Sequence, residues 1–316
     1  MSKVAVSIIC NTYNQEAYIE DAIQGFLMQK TDFPFEVLIH DDASTDQTAR
    51  IIRKYEEKYP EIIKPIYQKE NQYSQHISIV KKYQLPRASG EFIAFCEGDD
   101  YWTDEEKLKK QVDALRRHPE TDICGHKARK ESKEGFAGYV APRDKNEIIP
   151  IEEIIRNGGG QYIATASLMI RRDAICQKTP MMDIISLDYV WQLQGALRGG
   201  LVYLNDEMSV YRVMSNGSWT IRMKGQTKTR NAHSDRVMNM LKAFDEYTNH
   251  RYTETVHQAI GNIEYKQLLR AGDYTALTSE KYRDIFRRKP LKHRIWVYAK
   301  CIEGRMKHSK NGQDKQ

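Results

Sequence analysis

Residues 92–100 read Phe92-Ile93-Ala94-Phe95-Cys96-Glu97-Gly98-Asp99-Asp100, an apolar run that passes directly into a cluster of acids. A short, nearly continuous apolar run is typical of a strand that is buried on both faces of a parallel sheet. Three similar runs precede it, over 4–10, 35–40 and 62–67. The stretch therefore predicts the fourth of a set of buried strands, with a polar site at its end.

Segments with the helical spacing of apolar residues alternate with these strands. They cover 16–28, 44–59, 77–83 and 107–118, and Ser44-x-x-Gln47 is typical of a capping box that begins the second helix. This alternation predicts an α/β fold, with a Rossmann-like, mostly parallel sheet flanked by helices. Ligands of such sheets bind beyond the carboxyl ends of the strands. We therefore expect the polar clusters at 11–14, 41–42 and 97–100 to converge on one site.

The pattern becomes irregular after about residue 130. We predict a mobile loop over 130–145 and a flexible hinge at 157–160. We also predict strands over 161–171 and 201–204, with a helix over 188–197 between them. Beyond Trp219 the chain is polar and helix-like, which predicts a helical C-terminal extension.

The acidic cluster, which we define as Glu97, Asp99 and Asp100, places three carboxylates within four positions. Like charges this close raise one another's pKa unless a cation neutralises them. Mg²⁺ or Mn²⁺, held by one or two carboxylates and by phosphate oxygens, is the usual partner of a diphosphate substrate. Gly98 lets the backbone turn sharply between the acids. The alternative is a solvated acidic turn ahead of the helix at 107–118.

Asp41 and Asp42 follow the second predicted strand. A carboxylate in this place can accept a hydrogen bond from the imide N–H of uracil or from an amine of another base, or one of the pair can cap the turn. Tyr13, after the first strand, can stack on a base, although an aromatic residue at a strand end is as often part of the core.

Three ordered motifs resemble those of the inverting family 2 glycosyltransferases of the GT-A fold, and the resemblance covers roughly residues 3–220. They are Ser7-Ile8-Ile9-Cys10-Asn11-Thr12-Tyr13-Asn14, Asp41-Asp42-Ala43-Ser44-Thr45-Asp46, and Gly90-Glu91-Phe92 leading into Cys96-Glu97-Gly98-Asp99-Asp100-Tyr101-Trp102. The resemblance implies a nucleotide-diphosphate-sugar donor, often a uridine one, and a Mn²⁺ or Mg²⁺ cofactor. Asp42 would bind the base, and the surrounding donor site would comprise Thr12, Tyr13, Asn14, Asp41, Glu97, Gly98 and Asp99. Asp99 or Asp100 would bind the metal, whereas Glu97 stands where the family usually has aspartate.

The resemblance also places a catalytic aspartate before a helix in the second half. Asp188 fits this place and would be the general base, although Leu187 replaces the usual acidic neighbour and Asp188 can instead act as a helix N-cap. Arg212 would clamp the diphosphate and belongs to the donor site. Met214 stands where many relatives carry histidine, so this segment is a poor metal ligand.

Two tryptophans, Trp102 and Trp219, are weaker candidates for acceptor contact. By the same resemblance, residues 1–220 form the GT-A domain, with a nucleotide-sugar-binding half at 1–105 and an acceptor-side half at 106–220. Residues 221–316 form the helical, basic C-terminal region.

The composition fits a globular protein, since 40% of the 316 residues are hydrophobic. No apolar run reaches the roughly 18 residues of a membrane span, and the start of the chain lacks signal-peptide features. We therefore expect a cytoplasmic protein, or a peripheral one on the inner face of the membrane. Five scattered cysteines without a C-x-x-C pair argue against a disulfide framework and against a cysteine-ligated zinc site.

Positive charge is concentrated at the C-terminal end. From Lys281 onward, twelve Lys and Arg residues face three acids, a net charge of +9. Apolar residues interleaved with this charge are typical of a helix that docks on anionic lipid headgroups, and the alternative is a solvated helix packed on its own domain. No nucleic-acid recognition motif accompanies the charge, so we expect no nucleic-acid partner.

Together these features predict a metal-dependent transferase that moves a sugar to a glycan or lipid-linked acceptor in cell-surface polysaccharide synthesis. A nucleotide-sugar-binding or assembly protein with little turnover is the alternative, and it is favoured by the departures at Glu97, Leu187 and Met214. A nucleotidylyltransferase would need a Gly-rich basic loop after the first strand, whereas this chain has Asn11 to Gln15 there.

Overall fold

The computed structural model describes residues 3–185, 188–213 and 225–313. The chain divides into two compact units, Met1–Lys224 and Gly225–Gln316. Among the described residues, no helix is both long and apolar enough to cross a membrane.

The first unit contains one sheet, flanked by helices, and its amino-terminal part is parallel. β1 pairs in parallel with both β2 and β4, and β2 pairs in parallel with β3. Its strands and helices up to the middle of the unit are β1 (Val6–Thr12), α1 (Ile19–Leu27), β2 (Phe35–Asp41), α2 (Thr48–Lys58), β3 (Ile63–Tyr67), β4 (Phe92–Phe95), β5 (Tyr101–Trp102) and α3 (Lys107–Arg117). The predicted α/β class is confirmed.

The parallel strands form because their side chains are apolar on both faces. All of β1 except Asn11 is buried, as expected for a strand covered by helices on each side. In α1 the buried side chains Ile19, Ala22, Ile23 and Phe26 recur at helical spacing and face the sheet.

The second half of the sheet is mixed. The strand order is β3-β2-β1-β4-β9-β6-β10-β5, with β7 beside β6 and β8 beside β10. β9 runs antiparallel to β4 and β6, and β6 and β10 are parallel. The remaining elements of the unit are β6 (Ile123–Ser132), β7 (Gly135–Val140), β8 (Glu147–Ile149), α4 (Ile151–Asn157), β9 (Met169–Arg171), α5 (Arg172–Ile175), α6 (Met181–Ile184), α7 (Asp188–Ala196) and β10 (Leu201–Arg212).

A buried carboxylate joins the amino ends of the parallel strands. Glu36, the second residue of β2, accepts hydrogen bonds from the Ser7 hydroxyl at 2.7 Å and from Lys64 Nζ at 2.7 Å. The Ser89 backbone N–H and hydroxyl also donate to it, at 2.8 and 2.7 Å. Burial alone would raise the pKa of Glu36, but these hydrogen bonds outweigh it and lower the pKa to about 2.

The second unit is helical. One cluster of its core consists of Tyr265, Leu277, Tyr282, Phe286 and Val297. Its helices are α8 (Thr227–Tyr247), α9 (Thr253–Ala271), α10 (Tyr274–Leu277), α11 (Arg283–Arg287) and α12 (Leu291–Gln313).

Several local predictions were wrong. Ser44 does not cap α2, because its hydroxyl accepts from the Asn14 N–H, whereas Asp46 accepts from the Thr48 N–H. The segment 130–145 is not a mobile loop but contains most of the β6–β7 hairpin. The strand predicted over 161–171 is limited to β9, and the helix predicted over 77–83 is a π-helical turn at Val80–Gln84.

Candidate active site

The carboxyl ends of β1, β2 and β4 meet at one edge of the sheet. Thr12 pairs with Asp41 across β1 and β2, and the Gly98 N–H donates to the Asn11 carbonyl at 3.0 Å. Gly98 packs so closely that an added Cβ would lie 2.5 Å from Gln15 Oε1 and 2.8 Å from Thr12 Cβ. Only glycine fits this position without a shift in its neighbours, which brings the acidic cluster against the first loop.

Two members of the acidic cluster point into the protein and one faces solvent. Asp99 and Asp100 are only 8% and 2% exposed, whereas Glu97 is exposed. Burial and the neighbouring Asp99 raise the pKa of Asp100 well above its usual range. The Arg212 backbone N–H, which donates to Asp100 Oδ1 at 2.8 Å, lowers it only in part.

Arg212, at the end of β10, is held over the cluster by several contacts. Its guanidinium donates to the Asp99 carbonyl at 3.0 Å and forms an ion pair with Asp21 of α1. It also lies 4.3 Å from the centre of the Tyr101 ring. The guanidinium is thus fixed beside the acids, with 17% of its side chain exposed.

Asp188 lies at the start of α7 and is partly buried. Its Oδ2 accepts from the Thr165 hydroxyl at 3.1 Å, and its Oδ1 accepts from the Tyr189 N–H at 2.8 Å. Burial raises the pKa of Asp188, and these two hydrogen bonds lower it in part. The Tyr189 N–H is one of the backbone donors that have no partner within the first turn of α7. By accepting from it, the Asp188 carboxylate also helps to cap this helix.

Tyr211 links Asp188 to the acidic cluster. Burial raises the pKa of the Tyr211 phenol. The acidic cluster and Asp188 raise this pKa further, which means that all four carboxylates lie within electrostatic range of this one side chain. Asp188 and the acidic cluster thus both lie near the Tyr211 side chain, and Arg212 follows Tyr211 on β10.

The predicted base-binding residues lie in the adjoining loops. Asp42 Oδ1 accepts from the Gln72 N–H at 2.7 Å and Oδ2 accepts from the Tyr73 N–H at 3.0 Å. Both oxygens of Asp42 thus hold this turn, and the residue is only 2% exposed. Burial raises the pKa of Asp41, whose Oδ1 is buried without a hydrogen-bond partner among the described residues.

Tyr13 and Asn14 complete this side of the site. The Tyr13 side chain is 40% exposed and is thus accessible to a ligand. Asn14 has a positive φ of 51° and accepts from the Thr45 N–H at 2.8 Å, which joins the loop after β1 to the loop after β2.

Trp102 is not a surface residue, and its predicted acceptor contact was wrong. The side chain is 2% exposed, packs edge-on against Phe26, and donates from Nε1 to the Ala166 carbonyl at 2.9 Å. An indole whose N–H is satisfied inside the core cannot stack on a sugar. Trp219, like Met214 and Leu187, lies outside the described residues.

The site offers a divalent cation two carboxylate ligands, Asp99 and Asp100. Among the described residues, no group of three or more His, Cys, Asp and Glu side chains is arranged to hold a metal. Mg²⁺ and Mn²⁺ at diphosphate sites need no such group, because substrate phosphates and water fill the remaining positions. The two buried neighbours Asp99 and Asp100 meet this requirement, and a cation would offset their mutual repulsion.

Sequence reasoning missed three residues of the site. Tyr211, Tyr101 and Thr165 contact or face its charged groups. Tyr101 lies within the third motif and Tyr211 directly precedes Arg212, which is the one signal that could have indicated them. Thr165 lies in a segment with no motif, and only the fold brings it to Asp188.

The acidic cluster lies beyond the carboxyl ends of parallel strands, which is where ligands of α/β sheets bind. Residues 7–177, more than half of the chain, match the family described as glycosyl transferase family 2. The chain belongs to this family, and the predicted resemblance is confirmed.

Relatives and solved structures agree with this assignment. An uncharacterized protein of Mycobacterium tuberculosis is 37% identical over 217 residues, which cover 68% of this chain and 60% of that protein's length. The putative teichuronic acid biosynthesis glycosyltransferase TuaG of Bacillus subtilis is 28% identical over 72% of this chain and 86% of its own length.

Two solved structures share the fold at low sequence identity. Staphylococcus aureus TarS 1-349 in complex with UDP-GlcNAc has a TM-score of 0.57 at 19% identity, with 99% of this chain and 93% of that chain covered. The mannosyltransferase PcManGT from Pyrobaculum calidifontis, in complex with GDP-Man and Mn²⁺, has a TM-score of 0.52 at 16% identity, with 95% and 87% covered. The GT-A fold class is thereby confirmed.

Proposed function

We propose that the protein is a metal-dependent inverting glycosyltransferase of cell-surface polysaccharide synthesis. It moves a sugar from a nucleotide-diphosphate sugar to a glycan or lipid-linked acceptor. The observation that carries this proposal is the grouping of Asp188, Arg212 and the acidic cluster around Tyr211. Such a grouping combines a base, an anion clamp and a metal-binding pair within one site.

The donor is proposed to be a UDP-sugar. Support comes from TarS, whose structures hold UDP and UDP-GlcNAc. PcManGT, with GDP-Man, is the counter-example within the same fold. Thermal shifts with UDP, GDP and dTDP test the base, and stabilisation by GDP alone would overturn the uridine assignment.

The chain's own residues supply the remaining parts of the reaction. Asp188 takes the proton of the acceptor hydroxyl while that oxygen attacks the anomeric carbon and the bond from this carbon to the diphosphate breaks. Its raised pKa makes it a stronger base than an exposed aspartate. Arg212 binds the departing diphosphate. A Mn²⁺ or Mg²⁺ ion held by Asp99 and Asp100 would supply further positive charge to that leaving group.

Donor hydrolysis with Mn²⁺ tests the enzyme proposal. We expect Asp188→Asn to lower the rate by roughly 10²–10⁴-fold, since it removes the base but keeps the shape. Asp183→Asn is the matched control, because Asp183 is nearby in sequence but its side chain is 72% exposed and paired with Lys81. A wild-type protein that binds donor but never turns it over, with any acceptor pool, would instead be a binding or assembly protein.

A Lys substitution tests the phosphate clamp. Arg212→Lys keeps the charge but loses the planar fork that contacts the Asp99 carbonyl and Asp21. We expect UDP binding to weaken about tenfold, which corresponds to about 1.4 kcal/mol. Unchanged affinity for UDP would remove Arg212 from the donor site.

We also propose that residues 1–220 form the catalytic domain, with the donor half at 1–105 and the acceptor half at 106–220. The basic region at 221–316 would then hold a cytoplasmic enzyme at the inner face of the membrane. Support comes from α12, where Leu291, Ile295, Tyr298 and Ile302 are exposed at helical spacing along one stripe.

A further inference from the structure

The β6–β7 hairpin carries two exposed aromatic side chains. Phe136 and Tyr139 are 56% and 43% exposed, and their ring centres lie 5.1 Å apart in an edge-on arrangement. Contiguous exposed apolar surface is one mark of ligand-binding sites. The pair is therefore a candidate binding surface.

A bulge in β7 places both rings on one face. Residues three apart in a regular strand point to opposite faces. Here Tyr139 pairs with Arg129 and Phe136 pairs with Glu131, so β7 uses one more residue than β6 between these pairs. Gly138 lies inside the bulge with a φ of 97°, which a residue with a side chain rarely adopts. The backbone is thus shaped to bring the two rings together.

Basic side chains of β6 lie under the rings. Lys127 Nζ is 4.1 Å from the centre of the Tyr139 ring, and the Arg129 guanidinium is 5.5 Å from the centre of the Phe136 ring. Arg129 is paired with Glu131 at 3.3 Å. No carboxylate of the described residues lies within ion-pairing distance of Lys127. We call Lys127, Arg129, Phe136 and Tyr139 the aromatic platform.

The aromatic platform is continuous with the candidate active site. Glu131, beside it on β6, accepts from the Tyr101 hydroxyl at 3.2 Å and pairs in register with Arg212 of β10. Arg212 in turn contacts the acidic cluster. At the other end, Tyr139 and Lys127 line an open cleft of about 480 Å³, within the size range of ligand sites. A chain-like ligand can therefore extend from the active site across the rings.

We infer that the aromatic platform is the acceptor subsite, and that it binds a polysaccharide whose sugar rings carry carboxylates. The apolar C–H face of a sugar ring packs on Phe136 and Tyr139, and a uronate carboxylate pairs with Lys127. A polyol-phosphate chain is a less suitable ligand. Its phosphates could pair with Lys127, but it has no sugar ring to pack on Phe136 and Tyr139. This inference rests on the proposed function, since it names the acceptor class of the same site.

Binding of a defined glycan to the full chain tests the inference. The probe is a hyaluronan oligosaccharide, in which glucuronate alternates with N-acetylglucosamine, and titration calorimetry gives the affinity without donor. We expect Phe136→Ala and Tyr139→Ala each to weaken binding about tenfold. Lys127→Ala should weaken it and also reduce its dependence on salt concentration. Tyr247→Ala, which removes an exposed aromatic ring from α8, is the matched control and should have no effect.

Two further probes separate the chemistry of the ligand. A neutral chitin oligosaccharide of the same length should bind more weakly than hyaluronan, and inorganic polyphosphate should bind without sensitivity to Phe136→Ala. The inference is overturned if wild type does not bind hyaluronan, or if both aromatic substitutions leave its affinity unchanged. Because glycan binding is measured without donor and donor hydrolysis without glycan, the inference and the proposed function fail independently.

Discussion

Replacing Glu36 with glutamine should destabilise the first unit in a pH-dependent way. The carboxylate is almost fully buried, with 3% of its side chain exposed, and the Ser7, Lys64 and Ser89 donors converge on it. One pKa unit corresponds to about 1.4 kcal/mol, so a fall from the usual 4.5 to about 2 stabilises the folded state by about 3 kcal/mol at neutral pH. We expect the Glu36→Gln variant to lose most of this stabilisation.

The sign of the pH dependence follows from the lowered pKa. The stabilisation is complete above the unfolded pKa and is lost as the pH falls through the folded pKa, over about pH 5 to 2. Urea unfolding should therefore give a difference between wild type and Glu36→Gln that is about 1 kcal/mol smaller at pH 4 than at pH 7. Glu57→Gln, which makes the same change at an exposed site on α2, should have little effect at either pH. A difference that is equal at both pH values would refute the assignment of the low pKa to Glu36.

Three further predictions concern the site, the core and the C-terminal helix. Gly98→Ala should destabilise the protein by about 1–3 kcal/mol in urea unfolding and weaken UDP binding, because its Cβ would lie 2.8 Å from Thr12 Cβ. Trp102→Ala should cost about 3–5 kcal/mol of stability, and a change in acceptor preference at unchanged stability would contradict its core position. A combined Ile295→Ser and Ile302→Ser variant should bind vesicles of anionic phosphatidylglycerol at least fivefold more weakly in co-sedimentation, and unchanged partition would remove the membrane proposal. Substitution is sharper than deletion here, because deletion from 281 would remove core residues such as Phe286 and Val297.

The parallel half of the sheet was predictable because its strands are buried on both faces. Short continuous apolar runs such as 4–10 and 92–96 are typical of buried strands, and the polar residues that follow them mark the strand ends. Since parallel strands share a direction, the convergence of the loops after β1, β2 and β4 follows from topology alone. The sequence alone therefore predicts that the acidic cluster lies at this edge of the sheet.

The second half was less predictable because tertiary pairing outweighs local pattern there. β10 was predicted only over 201–204, since Asn205, Asp206 and Glu207 interrupt the apolar run. The strand continues to Arg212 because register shifts around Glu207 absorb these polar residues. The glycines and charges of 130–145 likewise resemble a loop, although pairing with β6 makes β7 a strand. The burial of Trp102 depends on Phe26 and Ala166, which no local window contains.

The two edges of the parallel half of the sheet differ in their buried charges. Glu36 joins the amino ends of the strands through hydrogen bonds, whereas their carboxyl ends hold the buried, mutually repelling Asp99 and Asp100. The like charges of Asp99 and Asp100 destabilise the folded protein at the carboxyl ends of the strands. The hydrogen bonds that stabilise the Glu36 carboxylate at the amino ends offset this cost. Substitutions can therefore adjust the two edges separately, with stability changed near Glu36 and the charge of the opposite edge changed near Asp99.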